Sequence, residues 1–479
     1  MSGVMISVSE FFDGAAGSLI WLVCAFAAWG LMFHAPLGRR VFRHRVSIAA
    51  PPDKVWSAML LEPSPPGGWA GVLQIEAQQF VDGPLLRHEA VVRYPHQPGP
   101  AKTLLSRVVR LEPAKRLESE AESLDGVAFA PRDKARAVLA LAEEDGATRL
   151  EQEIHTTVKG LYGHIATGRF YDRYLDHLRA HCEGSTPPAP RSLVPRSTAV
   201  CLGVAAVVAS AVTIGWNASA PIWLMVGVAV CLELTILIHE FGHYLAMRAF
   251  GHRDASVVLI PFFGGATLGA RPMASRYEAA MVALAGPGFS ALFVLVAAPF
   301  AARGLDLLRM DVGRLDASLD LAGPVACLVV LVVLVLMIPL NLVNLAPLGM
   351  FDGGKLVGAV VHGRAQRAAL TAAMAAALGY STLQWGTAGE FGNMAALLVA
   401  MWVYQSVARR APEPRQEPMT RWQAATTLAA LAVTIAVYAE ASRALLPDFA
   451  MALRSGMDAA DGDRTASSRE ESESHTAAP

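Results

Sequence analysis

The chain has 479 residues, of which 53% are hydrophobic and 17% are charged, and its formal net charge is −1. A soluble chain of this length would form about three domains and carry about 25% charged residues, so this composition excludes an ordinary soluble multidomain protein. The balance of 40 basic and 41 acidic residues argues against nucleic acid as a partner. The five cysteines form no CxxC pair, so we expect neither a disulfide framework nor a cysteine metal site.

Long runs without Asp, Glu, Lys or Arg decide the class of protein. Each reaches or approaches the ~20 residues that cross the hydrocarbon core of a bilayer. The runs are 14–38, 197–232, 279–302, 321–351, 368–389, 391–408 and 422–439. They predict a polytopic α-helical membrane protein with about eight spans, in which 14–38 is an anchor that is retained after synthesis.

A region of ordinary soluble composition, residues 45–183, is inserted between the first and second predicted spans. Val46-Ser-Ile-Ala and Leu150–Val158 alternate with the period of strands, whereas Gly168–Cys182 has helical spacing. We therefore expect an α+β domain, followed by a Pro-rich linker at 184–196. The transmembrane core would occupy 197–447, and the Ser- and acid-rich segment 448–479 would be a disordered tail.

The distribution of basic residues predicts the orientation. Arginines cluster at 39–45, 191–196, 248–276 and 409–421. The loop 302–320, in contrast, has four acidic and three basic residues. Basic loops stay in the cytoplasm. We expect the soluble domain on the cytoplasmic side and the acidic tail on the opposite side.

The third predicted span contains an HExxH motif, His239-Glu240-Phe-Gly-His243. Residues at i and i+4 share a helix face, so both imidazoles can reach one Zn²⁺, and Glu240 can act as general base. Polar side chains of this kind are costly inside a membrane unless they serve a function. The motif therefore predicts a catalytic metal site.

A catalytic zinc needs a third protein ligand, and Asp352 is the candidate. It follows the charge-free run 321–351, in a stretch whose Pro and Gly residues interrupt the helix. The predicted topology brings it to the same depth and side of the membrane as His239 and His243. The alternative is an aspartate that caps a helix at the membrane surface.

The chain resembles the site-2 protease family of intramembrane zinc metalloproteases between residues 239 and 353. The motifs that carry the resemblance are His239-Glu-Phe-Gly-His243, Ala249-Phe-Gly251, Phe262-Phe-Gly-Gly265, Ala285-Gly-Pro287, Asn344-x-x-Pro347 and Asp352-Gly353. The resemblance implies that His239, His243 and Asp352 bind zinc and that Glu240 is the catalytic base. It implies that Asn344 contacts substrate or supports the site. Ser290 stands where the family commonly has Asn.

The stretch from Ser256 to Gly269 combines β-branched residues with Gly and Pro. A re-entrant hairpin here could pair with an unwound substrate, with Gly264 and Gly265 as substrate-binding residues. The alternative is a plain cytoplasmic loop.

The soluble region has a resemblance of its own, carried by Val46-Ser-Ile-Ala-Ala-Pro-Pro-Asp-Lys-Val-Trp56. This segment is similar to the opening of START-like, polyketide-cyclase-type helix-grip domains. The resemblance implies a curved sheet and a long helix around an apolar cavity, with a lipid or another hydrophobic molecule as a ligand. The alternative is that Trp56, Trp69 and Phe170 fill an ordinary core.

Together these features predict an intramembrane zinc endopeptidase that cleaves a transmembrane segment of another protein, in the inner (plasma) membrane of a bacterium. Two alternatives remain. One is a lipid-binding membrane scaffold with a non-catalytic metal site. The other is an ion transporter. The lack of a second, symmetry-related half in the sequence argues against a transporter.

Overall fold

The computed structural model of the protein forms two compact units. The first comprises Met1–Ser219, Met247–Glu278 and Ala411–Pro418, and the second comprises Ala220–Ala246, Ala279–Arg410 and Met419–Pro479. The structure describes residues 27–28, 30–65, 68–69, 73–93, 100–188, 192, 194–215, 221–262, 264–269, 273–309, 322–347, 351–361, 366, 368–374, 376, 417 and 419–476.

The first unit contains an antiparallel sheet with two helices, here called the sheet domain. A π-helical turn at Gly30–His34 precedes it. The strands are β1 (Pro36–Ile48), β2 (Gln74–Val81), β3 (Arg87–Arg93), β4 (Lys102–Glu112), β5 (Arg116–Leu124), β6 (Val127–Ala128), β7 (Arg136–Glu144) and β8 (Ala147–Lys159). The helices are α1 (Pro52–Leu60) and α2 (Gly160–Glu183).

The strand order is β1-β8-β7-β5-β4-β3-β2, with β6 paired to β5. Two of its turns are Asp-Gly pairs, at Asp125-Gly126 and Asp145-Gly146, in which both residues have positive φ. This is the signature of the type I′ turn, whose twist matches that of paired strands. The turns therefore fix the register of β5–β6 and β7–β8 locally.

Helix α2 covers one face of the sheet and closes the core of the domain. Tyr174, Leu175 and Leu178 pack there against buried residues of the strands, such as Ile48 and Leu150. The Trp69 ring meets the Tyr174 ring edge-on, with the centroids 5.5 Å apart. Trp69 is fully buried and Trp56 nearly so, whereas Phe170 is only partly buried.

The domain begins earlier than its predicted start at residue 45. Strand β1 starts at Pro36, and Arg39–Ile48 pairs continuously with Thr157–Thr148 of β8. The predicted anchor 14–38 therefore ends before the strand, and residues 14–26 lie outside the described part of the chain.

The first unit also contains helix α3 (Arg196–Gly215) and a hairpin of β9 (Ser256–Ile260) and β10 (Gly264–Leu268). Gly264 pairs with Ile260, and Leu268 pairs with Ser256. The hairpin expected between Ser256 and Gly269 is thus present.

The remaining helices are long and apolar, with one short exception. They are α4 (Ile222–Ala249), α5 (Arg276–Arg309), α6 (Ala322–Asn344), the short α7 (Asp352–Val360) and α8 (Arg421–Thr476). The core of the second unit is built from α5, α6, α7 and α8, including Leu334, Met337 and Tyr438.

Within the described residues, five helices are long and apolar enough to cross a membrane: α3, α4, α5, α6 and the Arg421–Ala452 part of α8. On α3, Val200, Val204, Val208 and Val212 are all more than half exposed at four-residue spacing. A continuous apolar stripe of this kind suits a lipid environment better than water. Of the eight predicted spans, 14–38, 368–389 and 391–408 lie largely or wholly outside the described residues.

The predicted disordered tail is wrong over most of its length, because α8 continues to Thr476. Beyond Pro447 the segment contains several Ala, Arg and Glu residues and no further proline before the helix ends. These three residue types have high helix propensity, which low hydrophobicity does not remove.

Candidate metal centre

The HExxH motif lies within the continuous helix α4, as its spacing predicts. His239, Glu240 and His243 are all buried, at 3%, 7% and 7% exposure. Their ligand atoms lie within 4.8 Å of one another. A second buried carboxylate, that of Glu233, lies seven residues before Glu240 on the same helix.

Asp352, the first residue of α7, meets both histidines. Its Oδ2 lies 3.1 Å from Nε2 of His239 and 3.0 Å from Nε2 of His243. The two Nε2 atoms are 3.1 Å apart. The three ligands of a tetrahedral zinc, with bonds of about 2.0–2.1 Å, are separated by about 3.3 Å. The observed triangle is close to that size.

The hydrogen bonds to the two histidines determine which ring nitrogen carries the proton. Nδ1 of His239 lies 2.7 Å from Oδ1 of Asn341, and Nδ1 of His243 lies 2.7 Å from the carbonyl oxygen of Val282. The Asn341 amide is oriented because its Nδ2 donates to the Met337 carbonyl at 2.8 Å. Both partners of the rings can only accept, so each Nδ1 donates and each Nε2 presents a lone pair.

Three lone-pair atoms, two Nε2 and one carboxylate oxygen, thus converge in a buried position. Such atoms repel one another unless they share a cation. Imidazoles held through Nδ1 are also the usual arrangement of metal-ligating histidines, in which the outer hydrogen bond fixes the tautomer. The donor set therefore fits a metal ion.

Asp352 does not act as a helix cap. The N-cap of α7 is Phe351, and no side chain caps this helix end. The second carboxylate oxygen of Asp352, Oδ1, accepts a hydrogen bond from Nζ of Lys355 at 3.0 Å. This contact leaves Oδ2 directed at the histidines, and the absence of a side-chain cap at this helix end argues against the alternative in which Asp352 caps α7.

Gly286 on α5 allows the close approach of the helices at this centre. A Cβ at this position would collide with the imidazole of His243 and would lie 2.9 Å from Nε2 of His239. Gly288, two residues later, has room, because the nearest atom to its Cβ would be Thr434 Oγ1 at 3.8 Å. The space beside the two Nε2 atoms therefore depends on the missing side chain of residue 286.

The neighbouring Pro287 is tied to the last described helix. The hydroxyl of Tyr438 donates to the Pro287 carbonyl at 2.7 Å, and Tyr438 is fully buried. Helix α8 thus contacts α5 directly beside Gly286.

Other predicted site residues lie elsewhere. Asn344 is the last residue of α6 and is partly buried, whereas the contact to His239 comes from Asn341, one turn earlier. Gly264 and Gly265 are the first two residues of β10. The roles predicted for Asn344, Gly264 and Gly265 stay predictions.

Three contributors to the centre were missed by the sequence analysis: Asn341, the Val282 carbonyl and Gly286. A signal was present for Gly286, which belongs to the Ala285-Gly-Pro287 motif. It was also present for Asn341, which is a polar residue in an otherwise apolar helix. A backbone carbonyl such as that of Val282 carries no signal in a sequence.

No family model and no curated protein matches the chain. Several solved structures match about a third of the chain, in its N-terminal part. Ara h 8.0201 is 14% identical, over 31% of this chain and 100% of its own, with a TM-score of 0.23. The Aha1 dimer from Colwellia psychrerythraea is 16% identical, over 30% of this chain and 96% of its own, with a TM-score of 0.21. CalU16 from Micromonospora echinospora is 19% identical, over 29% of this chain and 82% of its own, with a TM-score of 0.18.

The described part of the chain thus combines an antiparallel sheet domain with five apolar helices that are long enough to span a membrane. The second unit contains a buried donor set that fits a metal ion.

Proposed function

We propose that this protein is a zinc-dependent intramembrane endopeptidase of the site-2 protease type, which cleaves a transmembrane segment of another membrane protein. The observation that carries the proposal is the convergence of His239 Nε2, His243 Nε2 and Asp352 Oδ2 at 3.0–3.1 Å within apolar helices. Two imidazoles and one carboxylate are the ligand set of several catalytic zinc sites.

In this proposal His239, His243 and Asp352 hold the zinc ion. When bound, zinc lowers the pKa of water and polarises a carbonyl oxygen. Glu240 is the general base: its carboxylate accepts a proton from the attacking water and delivers it to the leaving amide nitrogen. Asn341 and the Val282 carbonyl keep both Nε2 atoms unprotonated, so the histidines remain competent ligands.

The substrate must be extended to expose its peptide bonds, since a helix hides them. We propose that β10 accepts such a segment by strand addition, with Gly264 and Gly265 at the start of the accepting strand. Within the described residues, β10 pairs with no strand other than β9, and edge strands add extended peptides through backbone hydrogen bonds. Asn344 is proposed to contact the substrate as well.

The proposal extends to location and to a ligand. The basic clusters at 39–45, 191–196 and 409–421 favour a bacterial inner membrane protein with its sheet domain in the cytoplasm. The sheet domain would bind a hydrophobic molecule between α2 and the sheet and regulate cleavage.

The decisive experiment compares wild-type protein with Glu240→Gln in membranes of the same host. Zinc content should be equal in the two proteins, because the ligands are unchanged. Fragments of membrane proteins should be present only with the wild type. Glu233→Gln is the matched control, since it also neutralises a buried carboxylate of α4 but should keep cleavage.

Two outcomes would contradict the proposal. Identical fragments from Glu240→Gln would remove Glu240 from the mechanism. Stoichiometric zinc in a wild-type protein that generates no fragments would favour the lipid-binding scaffold with a non-catalytic metal site.

A further inference from the structure

The β9–β10 hairpin belongs to the same compact unit as the sheet domain, although α3 and α4 separate the two in sequence. The inner face of β9 is buried, with Val258 and Ile260 at 2% and 1% exposure. It packs in an apolar cluster, here called the hairpin joint, formed by Met32, Leu161, Tyr162, Val194, Val258, Ile260 and neighbouring residues. The hairpin is therefore seated on the start of α2 and on the linker before α3.

Polar contacts from α2 hold both strands at the open end of the hairpin, where β9 begins and β10 ends. Nη1 of Arg173 lies 3.4 Å from Oδ2 of Asp254, two residues before β9 begins. The hydroxyl of Tyr162 donates to the carbonyl of Gly269 at 3.2 Å, directly after β10 ends. Tyr162 and Arg173 are eleven residues apart on α2, about 16 Å along the helix axis. One helix thus contacts both strands at the open end of the hairpin through two separate residues.

The Arg173–Asp254 pair is largely withdrawn from water, with side-chain exposures of 12% and 8%. Removing one partner of a buried pair leaves an unpaired buried charge, which costs far more than loss of a surface pair. The position of Arg173 is itself well defined, because the next two residues, Tyr174 and Leu175, are packed in the core of the sheet domain. The hairpin is therefore positioned relative to that core.

We propose that α2 of the sheet domain positions the β9–β10 hairpin, with Arg173 and Tyr162 as positioning residues, and thereby determines how strand β10 accepts an extended substrate. This inference rests on the proposed function. It gives the sheet domain a role in substrate binding that does not require a ligand. Any molecule or partner that binds one position of α2 better than another would change substrate acceptance through the same contacts.

The experiment measures amide hydrogen exchange of β9 and β10 in the full chain, reconstituted in lipid nanodiscs. Arg173→Gln should accelerate exchange in both strands about tenfold, and Tyr162→Phe, which removes one hydrogen bond, about threefold. Arg179→Gln is the matched control, because Arg179 lies on the same helix, is about half exposed and pairs with Glu183. It should leave the exchange of the hairpin unchanged.

A charge exchange separates positioning from loss of folding. Arg173→Asp alone and Asp254→Arg alone should both accelerate hairpin exchange, and the double variant should restore much of the protection. Zinc content should stay at the wild-type level in all variants. With a tagged transmembrane substrate identified by comparing wild-type and Glu240→Gln membranes, Arg173→Gln should raise KM about tenfold and change kcat little, as expected when substrate binding is weakened and the chemical step is not.

The failures of the two proposals are distinguishable. Unchanged exchange and unchanged KM in Arg173→Gln, while the wild type still cleaves, would overturn this inference alone. A zinc-loaded wild type that cleaves nothing would overturn the proposed function and the substrate role of the hairpin with it. The exchange data would still report whether α2 holds the hairpin.

Discussion

Polar residues are used in two opposite ways in this protein. On the sheet domain, Arg87–Glu122, Arg107–Glu120 and Arg136–Glu118 form cross-strand pairs whose arginines are 39–46% exposed. Such pairs contribute about 0–1 kcal/mol each, because water solvates the charges almost as well.

At the candidate metal centre the polar groups are 3–7% exposed among apolar helices. Burial of polar groups is costly unless they are paired, and the convergence of three lone pairs adds to that cost. The sheet domain should therefore lose little stability when one polar pair is removed, whereas removal of one polar contact at the metal centre should strongly reduce metal binding. The following variants test this difference.

The largest effect is expected from Gly286→Ala. The added methyl group would occupy the space beside Nε2 of His243 and His239, so the rings could not keep their positions. Zinc binding and cleavage should both be lost. Gly288→Ala, which meets only ordinary contacts, should retain both. The zinc content of the two purified variants measures the effect, and far-UV circular dichroism checks that their helix content is unchanged. Full zinc occupancy in Gly286→Ala would contradict the predicted steric clash.

A smaller effect is expected from Asn341→Leu, which removes the acceptor that holds Nδ1 of His239. Loss of such an outer hydrogen bond lowers metal affinity about 10–100-fold. Asn344→Leu is the matched variant, one turn further along α6, and it should leave zinc affinity unchanged while raising KM. Competition with a zinc chelator measures the affinities. Equal losses in the two variants would show that Asn341 has no special role.

The smallest effect is expected on the sheet. Hydrogen bonds from Arg136 and Arg116 lower the pKa of Glu118. A carboxyl group with a lowered pKa stabilises the folded state above its unfolded pKa, about 4.3, and this contribution is lost as the pH falls through the folded pKa. Glu118→Gln should therefore destabilise β5 and β7 by about 0.5–1 kcal/mol at pH 7 and by less at pH 3.

Hydrogen exchange of the β5 and β7 amides in the intact protein, corrected for the intrinsic rate at each pH, measures this difference. A loss that grows as the pH falls would contradict the assigned sign.

The sequence predicted those parts of the site that depend on local periodicity. HExxH places two histidines on one helix face whatever the surroundings, and the topology of the spans brings Asp352 towards them. The link between Asn341 and His239 depends instead on how α4 packs against α6, so the choice between Asn341 and Asn344 was not available from spacing. The steric need for Gly286 has the same origin, since only the approach of α5 to α4 creates it.

The fold shows a similar division. The Asp-Gly turns and the closing helix have local signals, and the sheet domain follows from them. The start of β1 at Pro36 was missed because its arginines resemble a charged membrane flank, yet on the strand Arg43 and Arg45 alternate with inward-facing residues such as Phe42. The helical tail was missed because low hydrophobicity was given more weight than helix propensity.

The hydrogen bond between Tyr438 and Pro287 has a consequence for biosynthesis. Its two residues are 151 positions apart in the chain. Once Asp352 has been synthesised, the nascent chain contains every side chain of the metal centre, but it does not yet contain the Tyr438 hydroxyl that holds the backbone next to Gly286. The centre acquires its final packing only after the last helix has been inserted. The metal centre is therefore complete in sequence before it is complete in packing.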